Sequence, residues 1–261
     1  MRSFEWRDGR LTDRPEAEDL PSGAYSTLRT HGGTGVMRLE DHVRRLVESV
    51  RLQGIEAPLD PRSVRGAVAA ALARTGHSES RLRLTWAPPR LLVSVEPFTP
   101  PAEALYRDGV RCVTVPVKRS NPHSKDTRFI GTAGAAYQTL PPGVHEGLMV
   151  AEDGTILEGL SSNFFAVREG ALYTEDERVL PGLTRSLVLE VSPLPRAPRG
   201  LRVAELPTAE ECFITSASRG VLPVVAVDGV TIGAGTPGAR TAEIRTRFDA
   251  AVARDTEDVR A

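Results

Sequence analysis

Two lysines, Lys118 and Lys125, are the side chains in this sequence that could supply a nucleophilic amine. The other 31 of the 33 basic residues are arginines, and a guanidinium stays protonated in proteins. Both lysines follow a predicted strand, residues 111–117, within one short polar loop. Chemistry that needs an amine must therefore use one of these two side chains.

An acid, Glu158, stands where the predicted strand of residues 155–157 ends, in the run Glu-Gly-Leu-Ser-Ser-Asn. A carboxylate beside glycine and serine at a strand end suits a ligand contact. The same pattern is also typical of an ordinary turn, so both interpretations stay open on this segment alone.

Two further segments could bind an anion. Leu180-Pro-Gly182-Leu183-Thr184 leads into a predicted helix, whose free N–H groups and dipole suit a phosphate. The run from Thr215 to Ser218 follows a predicted buried strand and offers hydroxyls and amides. A capped helix and a simple strand-end turn are the respective alternatives.

Composition excludes several classes of protein. The net charge of −1 over 261 residues gives no basic excess for nucleic acid. No apolar run approaches the roughly 20 residues that span a membrane, and the charged N-terminus does not resemble a secretion signal. Five scattered histidines and two distant cysteines, Cys112 and Cys212, predict no metal site and no disulfide. We expect a cytoplasmic protein with two buried free thiols.

Predicted strands and helices alternate along the chain and indicate an α+β fold. The first unit has a strand at 23–30, a return strand at 34–38, helices at 39–54 and 61–76, and a hairpin at 81–96. The second unit has a helix at 132–140, strands at 147–151, 155–157, 163–167 and 171–174, a helix from 183, strands at 211–215 and 221–227, and a last helix at 237–253.

The order of these motifs resembles the class IV, or fold type IV, pyridoxal-phosphate aminotransferases. This family includes branched-chain and D-amino-acid aminotransferases and aminodeoxychorismate lyase. The resemblance runs from Gly23 to Val227 and rests on five segments, namely Arg38-Leu-Glu-Asp-His-Val-Arg-Arg45-Leu46, Lys125, residues 158–165, residues 180–185 and residues 215–224.

The resemblance implies a role for each candidate residue. Lys125 would form the Schiff base with pyridoxal 5′-phosphate and carry protons, and Glu158 would keep the pyridine nitrogen protonated. Arg45 would bind the phosphate, with Leu183, Thr184, Ser216 and Ala217 completing that site. Tyr25, Arg128 and Arg90 are candidates for substrate binding. The alternatives are a half-buried strand tyrosine for Tyr25, a structural ion pair for Arg128 and a solvated turn arginine for Arg90.

The resemblance also implies a reaction and an assembly. The expected reaction moves an amino group from a D- or branched-chain L-amino acid to a 2-oxo acid. A lyase that forms 4-aminobenzoate and pyruvate is the first alternative, and a non-catalytic binder of the cofactor is the second. A homodimer is expected. The predicted domains are a small N-terminal one, 1–117, a loop, 118–124, and a larger barrel-like one, 125–261.

The chain departs from the family pattern at its first strand, which reads Gly23-Ala24-Tyr25-Ser26 without the acid that often follows the aromatic residue. Ala217 also stands where many members have threonine. These departures leave the substrate open.

Overall fold

The computed structural model describes residues 1–15 and 18–261, which form fifteen strands and seven helices. The strands are β1 (Arg2–Arg7), β2 (Arg10–Asp13), β3 (Ala24–His31), β4 (Gly35–Met37), β5 (Ser80–Ala87), β6 (Arg90–Pro97), β7 (Val110–Val115), β8 (Glu146–Val150), β9 (Ile156–Gly159), β10 (Asn163–Arg168), β11 (Ala171–Tyr173), β12 (Glu211–Ser216), β13 (Gly220–Val227), β14 (Val230–Thr231) and β15 (Thr256–Asp258). The helices are α1 (Leu39–Arg51), α2 (Pro61–Thr75), α3 (Glu103–Asp108), α4 (Arg128–Gln138), α5 (Leu183–Val191), α6 (Ala239–Asp255) and a 3₁₀ helix (Val203–Thr208).

The chain divides into two compact units. The first comprises residues 1–100, 123–130 and 252–261, and the second comprises residues 101–122 and 131–251. Each unit contains one sheet, and the mixture of helices and strands confirms the predicted α+β class.

The first unit is an antiparallel sheet of seven strands in the order β15-β4-β3-β5-β6-β1-β2. Alternate residues of β3 are buried, as period-two packing against one covered face requires. Helices α1 and α2 supply that cover, because their apolar residues join those of the sheet in a single core. The carboxylate of Asp60 caps α2 by accepting the N–H groups of Arg62 and Ser63 at 3.2 and 3.1 Å.

The second unit contains a closed barrel of six strands. Strands β10, β12, β13, β7, β8 and β9 pair in that order, and β9 pairs with β10 to close the ring. The two pairings of β7, with β13 and with β8, are parallel, and the others are antiparallel. The predicted barrel-like domain is thus confirmed as an architecture.

The observed division differs from the predicted boundaries 1–117, 118–124 and 125–261. Strand β7 belongs to the second unit because it hydrogen-bonds to β8 and β13 of the barrel. The segment containing Lys125 belongs to the first unit, because it pairs with the beginning of β3. The last residues also join the first unit, where β15 pairs with β4. These boundaries are determined by pairing between strands that are distant in the sequence. Local sequence patterns do not reveal such pairing.

Among the described residues, no helix is long and apolar enough to cross a membrane. The two cysteines, Cys112 and Cys212, are buried and free, as predicted. Burial raises the pKa of both thiols, which keeps them protonated.

The core of the first unit gives a stability prediction. Leu82 is fully buried on β5 between Leu28 of β3 and Val95 of β6. We expect Leu82→Ala to lower the free energy of unfolding, measured by urea denaturation, by about 2–5 kcal/mol, because it leaves a cavity. The neighbouring Arg81→Ala is the control. Its side chain is about half exposed, and its effect should stay within about 0.5 kcal/mol. Equal effects of the two substitutions would contradict this packing.

Candidate active site

The backbone of Lys125 is fixed from two sides within the first unit. Its N–H donates to Ser49 Oγ of α1 at 3.1 Å, and its carbonyl accepts the N–H of Tyr25 on β3 at 2.9 Å. The preceding Ser124 donates its hydroxyl to the Ser49 carbonyl at 3.0 Å. The lysine therefore starts from a backbone position that a helix and a strand both define.

The side chain of Lys125 lies against Tyr25. The Nζ atom is 4.6 Å from the centre of the tyrosine ring, a distance at which a cation and an aromatic face attract each other. Two residues singled out in the sequence, 100 positions apart, are thus brought together. Lys118, the other lysine, is 72% exposed and pairs with Glu152 at 2.8 Å. Lys118 therefore has a solvated surface position.

Gly23 is hydrogen-bonded to the segment that carries Lys125 and lies close to the end of β5. Its N–H donates to Thr127 Oγ1 at 3.0 Å, and its carbonyl accepts the N–H of Thr127 at 2.9 Å. A Cβ at this glycine would lie 2.4 Å from the Trp86 carbonyl oxygen, so a side chain does not fit. Only glycine fits at this position, because any side chain would overlap the neighbouring backbone.

Arg45 of α1 takes part in a buried polar chain. Its Nη2 donates to Ser26 Oγ at 2.6 Å, and the Ser26 hydroxyl lies 2.6 Å from His42 Nδ1. The Ser26 oxygen accepts from the arginine, and the direction of its hydrogen bond with His42 Nδ1 follows the tautomer of the histidine. Burial, reinforced by the positive charges of Arg45 and Lys125, holds the pKa of His42 well below its ordinary value. The neutral histidine can accept or donate at Nδ1 according to its tautomer.

The positive charge of Arg45 has no carboxylate partner within the described chain. Burial lowers the pKa of its guanidinium to about 10, and the charge of Tyr25 offsets this shift only in part. Its Nε is buried and has no hydrogen-bond partner among the described residues. At neutral pH the group stays charged, and a desolvated cation of this kind is stabilised by an anion. The predicted phosphate contact fits that requirement.

Arg83 is a candidate that sequence reasoning missed. It faces Thr27 across the β3–β5 pair, next to the pair formed by Tyr25 and Thr85, so all four residues project from one face of the sheet. Burial lowers the pKa of Arg83, and its Nε, like Thr85 Oγ1, is buried without a partner in the described residues. The alternation of residues along β5 places the Arg83 side chain on this face. The sequence did not single it out as a candidate, because the chain has 31 arginines.

In the second unit, Glu158, Asn163 and Thr215 form one row across three strands of the barrel, because Asn163 pairs with both of the others. The Asn163 amide donates to Glu158 Oε2 at 3.3 Å and to the Leu180 carbonyl at 2.9 Å. It therefore ties the strand-end acid to the loop that leads into α5. The same carboxylate oxygen also accepts the Leu180 N–H at 3.2 Å.

The other oxygen of Glu158 accepts the Nε–H of Arg119 at 3.0 Å. This ion pair is deeply buried, with side chains 3% and 8% exposed. Arg119 lies in the loop after β7 and was not among the candidates from the sequence. A guanidinium at this distance favours the ionised form of a carboxylate.

The N-terminus of α5 has no side-chain cap, because its N-cap residue is Gly182. A Cβ at Gly182 would lie 2.1 Å from Asn163 Oδ1, so the tie to Glu158 also excludes a larger capping residue here. Leu183 and Thr184 begin the helix, and Thr184 is buried. Their N–H groups belong to the first turn, where an α-helix leaves its donors without internal partners.

The run after β12 forms a tight turn between β12 and β13. Ser216 pairs with Gly220, and Ala217 lies in the turn between them. The Ser216 hydroxyl accepts the Nε–H of Arg219 at 3.0 Å. Thr215 Oγ1 is buried without a hydrogen-bond partner among the described residues.

The structure does not support substrate roles for the two other arginines. Arg90 pairs with Glu5 at 2.8 Å and with Glu18 at 3.5 Å, so its charge is already balanced. Arg128 is 71% exposed and pairs with Asp126. For Arg128 the observed contact is the ion pair that the sequence left open, whereas Arg90 forms an ion pair where a solvated turn arginine was the alternative.

Comparison with known proteins places the chain in a family. The profile of Amino-transferase class IV matches residues 23–227, which is most of the sequence. The chain belongs to the class IV aminotransferase family, whose members are pyridoxal-phosphate enzymes, and the cofactor and enzyme class predicted from the motifs are confirmed.

Three individual proteins show the range of the family. The chain is 25% identical to a D-alanine aminotransferase of Bacillus licheniformis over 95% of this chain and 97% of that one. A solved branched-chain aminotransferase of the archaeon Thermoproteus uzoniensis, with norvaline, superposes with a TM-score of 0.82 and 22% identity, covering 99% of each chain. A 4-amino-4-deoxychorismate lyase from Pseudomonas aeruginosa gives 0.77 and 28%, covering 94% and 98%.

The residues present fit pyridoxal phosphate. In the first unit, Arg45 supplies a buried cation without a carboxylate partner in the described chain. In the second unit, the bare first turn of α5 supplies N–H groups, and Glu158 is a buried acid on β9. Residues 1–15 and 18–261 contain no group of three acidic, histidine or cysteine side chains placed to hold a metal ion.

Arg45 gives a binding prediction. We expect Arg45→Leu to weaken pyridoxal phosphate binding about 10- to 100-fold, the effect of losing charged hydrogen bonds. The affinity is measured by titrating the cofactor-free protein. Arg44→Leu is the matched control, because Arg44 is the next residue of α1 and is 75% exposed. Pyridoxal, which lacks the phosphate, should bind both variants as it binds the parent protein. A similar loss for pyridoxal and for its phosphate would exclude Arg45 as the phosphate ligand.

Proposed function

We propose that this chain is a transaminase that transfers the amino group of a D- or branched-chain L-amino acid to a 2-oxo acid, with Lys125 as its reactive amine. The contact between Lys125 and Tyr25 carries the proposal, since it fixes the amine beside a face of the sheet that also bears Arg83. Lys118 has no comparable surroundings, because it is exposed and paired with an exposed glutamate.

The chemistry that pyridoxal phosphate supplies when bound is an aldehyde that condenses with amines and a ring that delocalises negative charge. In our proposal Lys125 Nζ accepts the proton from the substrate Cα and later returns one, as a general base and acid. The neighbouring Tyr25 ring stabilises the protonated amine between these two events.

Glu158 acts in our proposal by holding a proton on the pyridine nitrogen. The contacts from Arg119, Asn163 and the Leu180 N–H fix the orientation of its carboxylate. Three donors on one carboxylate favour its ionised form. Glu158 is thus a fixed negative charge, suited to stabilising a positive ring nitrogen.

Arg45 binds the phosphate in this proposal, and Leu183, Thr184, Ser216 and Ala217 contribute further donors. The substrate carboxylate is assigned to the face that bears Tyr25 and Arg83. A guanidinium recognises a carboxylate through two parallel hydrogen bonds, and Arg83 has a buried Nε without a partner among the described residues. This assignment replaces Arg90 and Arg128, whose charges are balanced by nearby acids.

A lyase that releases pyruvate is the second candidate. The 28% identity to the Pseudomonas aeruginosa 4-amino-4-deoxychorismate lyase over nearly the whole chain favours it. Both reactions begin with an amine, a ring and a general base, so the residues that serve them are the same. Only assays with the substrates of each reaction can therefore distinguish the transaminase from the lyase. The predicted homodimer remains a prediction.

The two lysines give a direct test of the site. Borohydride reduction of the protein with pyridoxal phosphate, followed by peptide mass spectrometry, should find the cofactor covalently attached to Lys125. Lys125→Ala should abolish this attachment and all turnover, since no second amine has the same surroundings. Lys118→Ala should leave both unchanged. Attachment to Lys118, or attachment that survives Lys125→Ala, would refute the assignment.

Substrate assays should decide the reaction. We expect an amino acid alone to convert the bound cofactor to pyridoxamine phosphate, detected by chromatography after denaturation, and a 2-oxo acid to reverse the change. D-alanine, L-alanine and L-valine tested separately establish the stereochemistry. Pyruvate and 4-aminobenzoate formed from aminodeoxychorismate, with no conversion by any amino acid, would establish the lyase instead. Cofactor binding without either reaction would indicate a non-catalytic binder.

A further inference from the structure

A second buried ion pair, Glu146 with Arg219, lies in the barrel unit and has not been given a role above. Glu146 begins β8 and is fully buried. Its Oε2 is 2.9 Å from Arg219 Nη2. It also accepts the hydroxyls of Ser162 at 2.9 Å and Ser161 at 3.2 Å, and Tyr137 donates to its other oxygen. The carboxylate is thus surrounded by donors.

The pair connects two segments that carry candidate cofactor residues. Ser161 and Ser162 follow Glu158 by three and four positions. Arg219 closes the turn that contains Ser216. The segment from Glu158 to Ser162 lies close to Glu146, since a Cβ on Gly159 would lie 2.9 Å from Glu146 Cγ and 2.2 Å from Ser162 Oγ. The buried ion pair therefore fixes the distance between this segment and the turn after β12.

Arg219 reaches Ser216 as well as Glu146. Its Nε donates to Ser216 Oγ at 3.0 Å, and its backbone N–H approaches the same oxygen at 3.4 Å. Its carbonyl accepts the hydroxyl of Tyr106 at 2.7 Å. The guanidinium, fixed by Glu146 at one nitrogen, thus presents another nitrogen to the serine in a rigid geometry.

These contacts determine where the hydrogen of the Ser216 hydroxyl points. A hydroxyl has one donor hydrogen and two acceptor lone pairs. Both donors that reach Ser216 Oγ come from Arg219, so the lone pairs are engaged and the hydrogen is directed elsewhere. No acceptor for it is present among residues 1–15 and 18–261. The hydroxyl is therefore arranged to donate to a group outside the chain.

We propose that Glu146 and Arg219 form a positioning pair that orients the Ser216 hydroxyl as a hydrogen-bond donor to the cofactor phosphate. The inference rests on the proposed function, which assigns Ser216 to the phosphate. Arg219 itself does not contact the phosphate in this account. It acts through Ser216, and Glu146 fixes Arg219.

Arg219→Lys tests the pair while retaining its charge. An ammonium can still pair with Glu146, but a single nitrogen cannot reproduce the fork that also reaches Ser216. We expect Arg219→Lys and Ser216→Ala each to weaken pyridoxal phosphate binding about 3- to 10-fold, the effect of one hydrogen bond. Binding of pyridoxal should not change, because it lacks the phosphate. The double variant should bind no more weakly than either single variant.

Arg199→Lys is the matched control. Arg199 also pairs with a glutamate in the barrel unit, Glu205, but its side chain is 44% exposed, and we expect no change in either affinity. If Arg219→Lys does not fold, Glu146→Gln replaces it. It removes the charge that fixes Arg219 and should give the same phosphate-specific loss, which again disappears in the background of Ser216→Ala.

The outcomes separate this inference from the proposed function. Additive losses in the double variant, or equal losses for pyridoxal and its phosphate, would show that the pair does not act through Ser216. The parent protein would still attach the cofactor to Lys125 in that case. Failure of the parent protein to attach the cofactor at Lys125 would instead overturn the proposed function. The affinities are equilibrium values for cofactor-free protein, so they do not depend on turnover.

Discussion

The placement of buried positive charge is the constraint on which this structure depends. Removing a guanidinium from water is costly unless an anion or several acceptors replace the solvent. In the barrel unit, Arg119 and Arg219 meet that requirement with Glu158 and Glu146. Arg45 has no such carboxylate in the described chain, although burial lowers its pKa. Arg45 is therefore a buried cation of the kind that an anion stabilises.

The arginines of this chain differ in whether an acid balances their charge, and this difference is the basis of the roles proposed for them. Arg90 and Arg128 matched a functional expectation by position, yet each is neutralised by an acid within its own unit. Arg83 matched no motif, yet it is half-buried, and its Nε has no acceptor among the described residues. In a chain with 33 basic residues, residue type says little about function, whereas the electrostatic surroundings of each charge are informative.

Local sequence patterns predicted most of the secondary structure, because alternation, capping and turn residues act over a few positions. The helix at Asp60-Pro61 begins and ends at its capping residues, and the predicted class is observed. The short strands at both ends of the chain were missed, since β15 exists through its pairing with β4, more than 200 residues away. The same reason explains the domain boundaries and the missed Arg119, whose partner lies 39 positions further along the chain.

Two serines show how buried arginines engage hydroxyl groups. Ser26 Oγ accepts from Arg45 Nη2, which leaves it a second lone pair, and the direction of its hydrogen bond with His42 follows the tautomer of the histidine. Ser216 Oγ accepts two N–H groups of Arg219, and its hydrogen has no acceptor within the described residues. Two donors from one residue therefore determine where the hydrogen of Ser216 points. Because an ammonium cannot hold Glu146 and also reach Ser216 as a planar guanidinium does, position 219 requires arginine for its shape as much as for its charge.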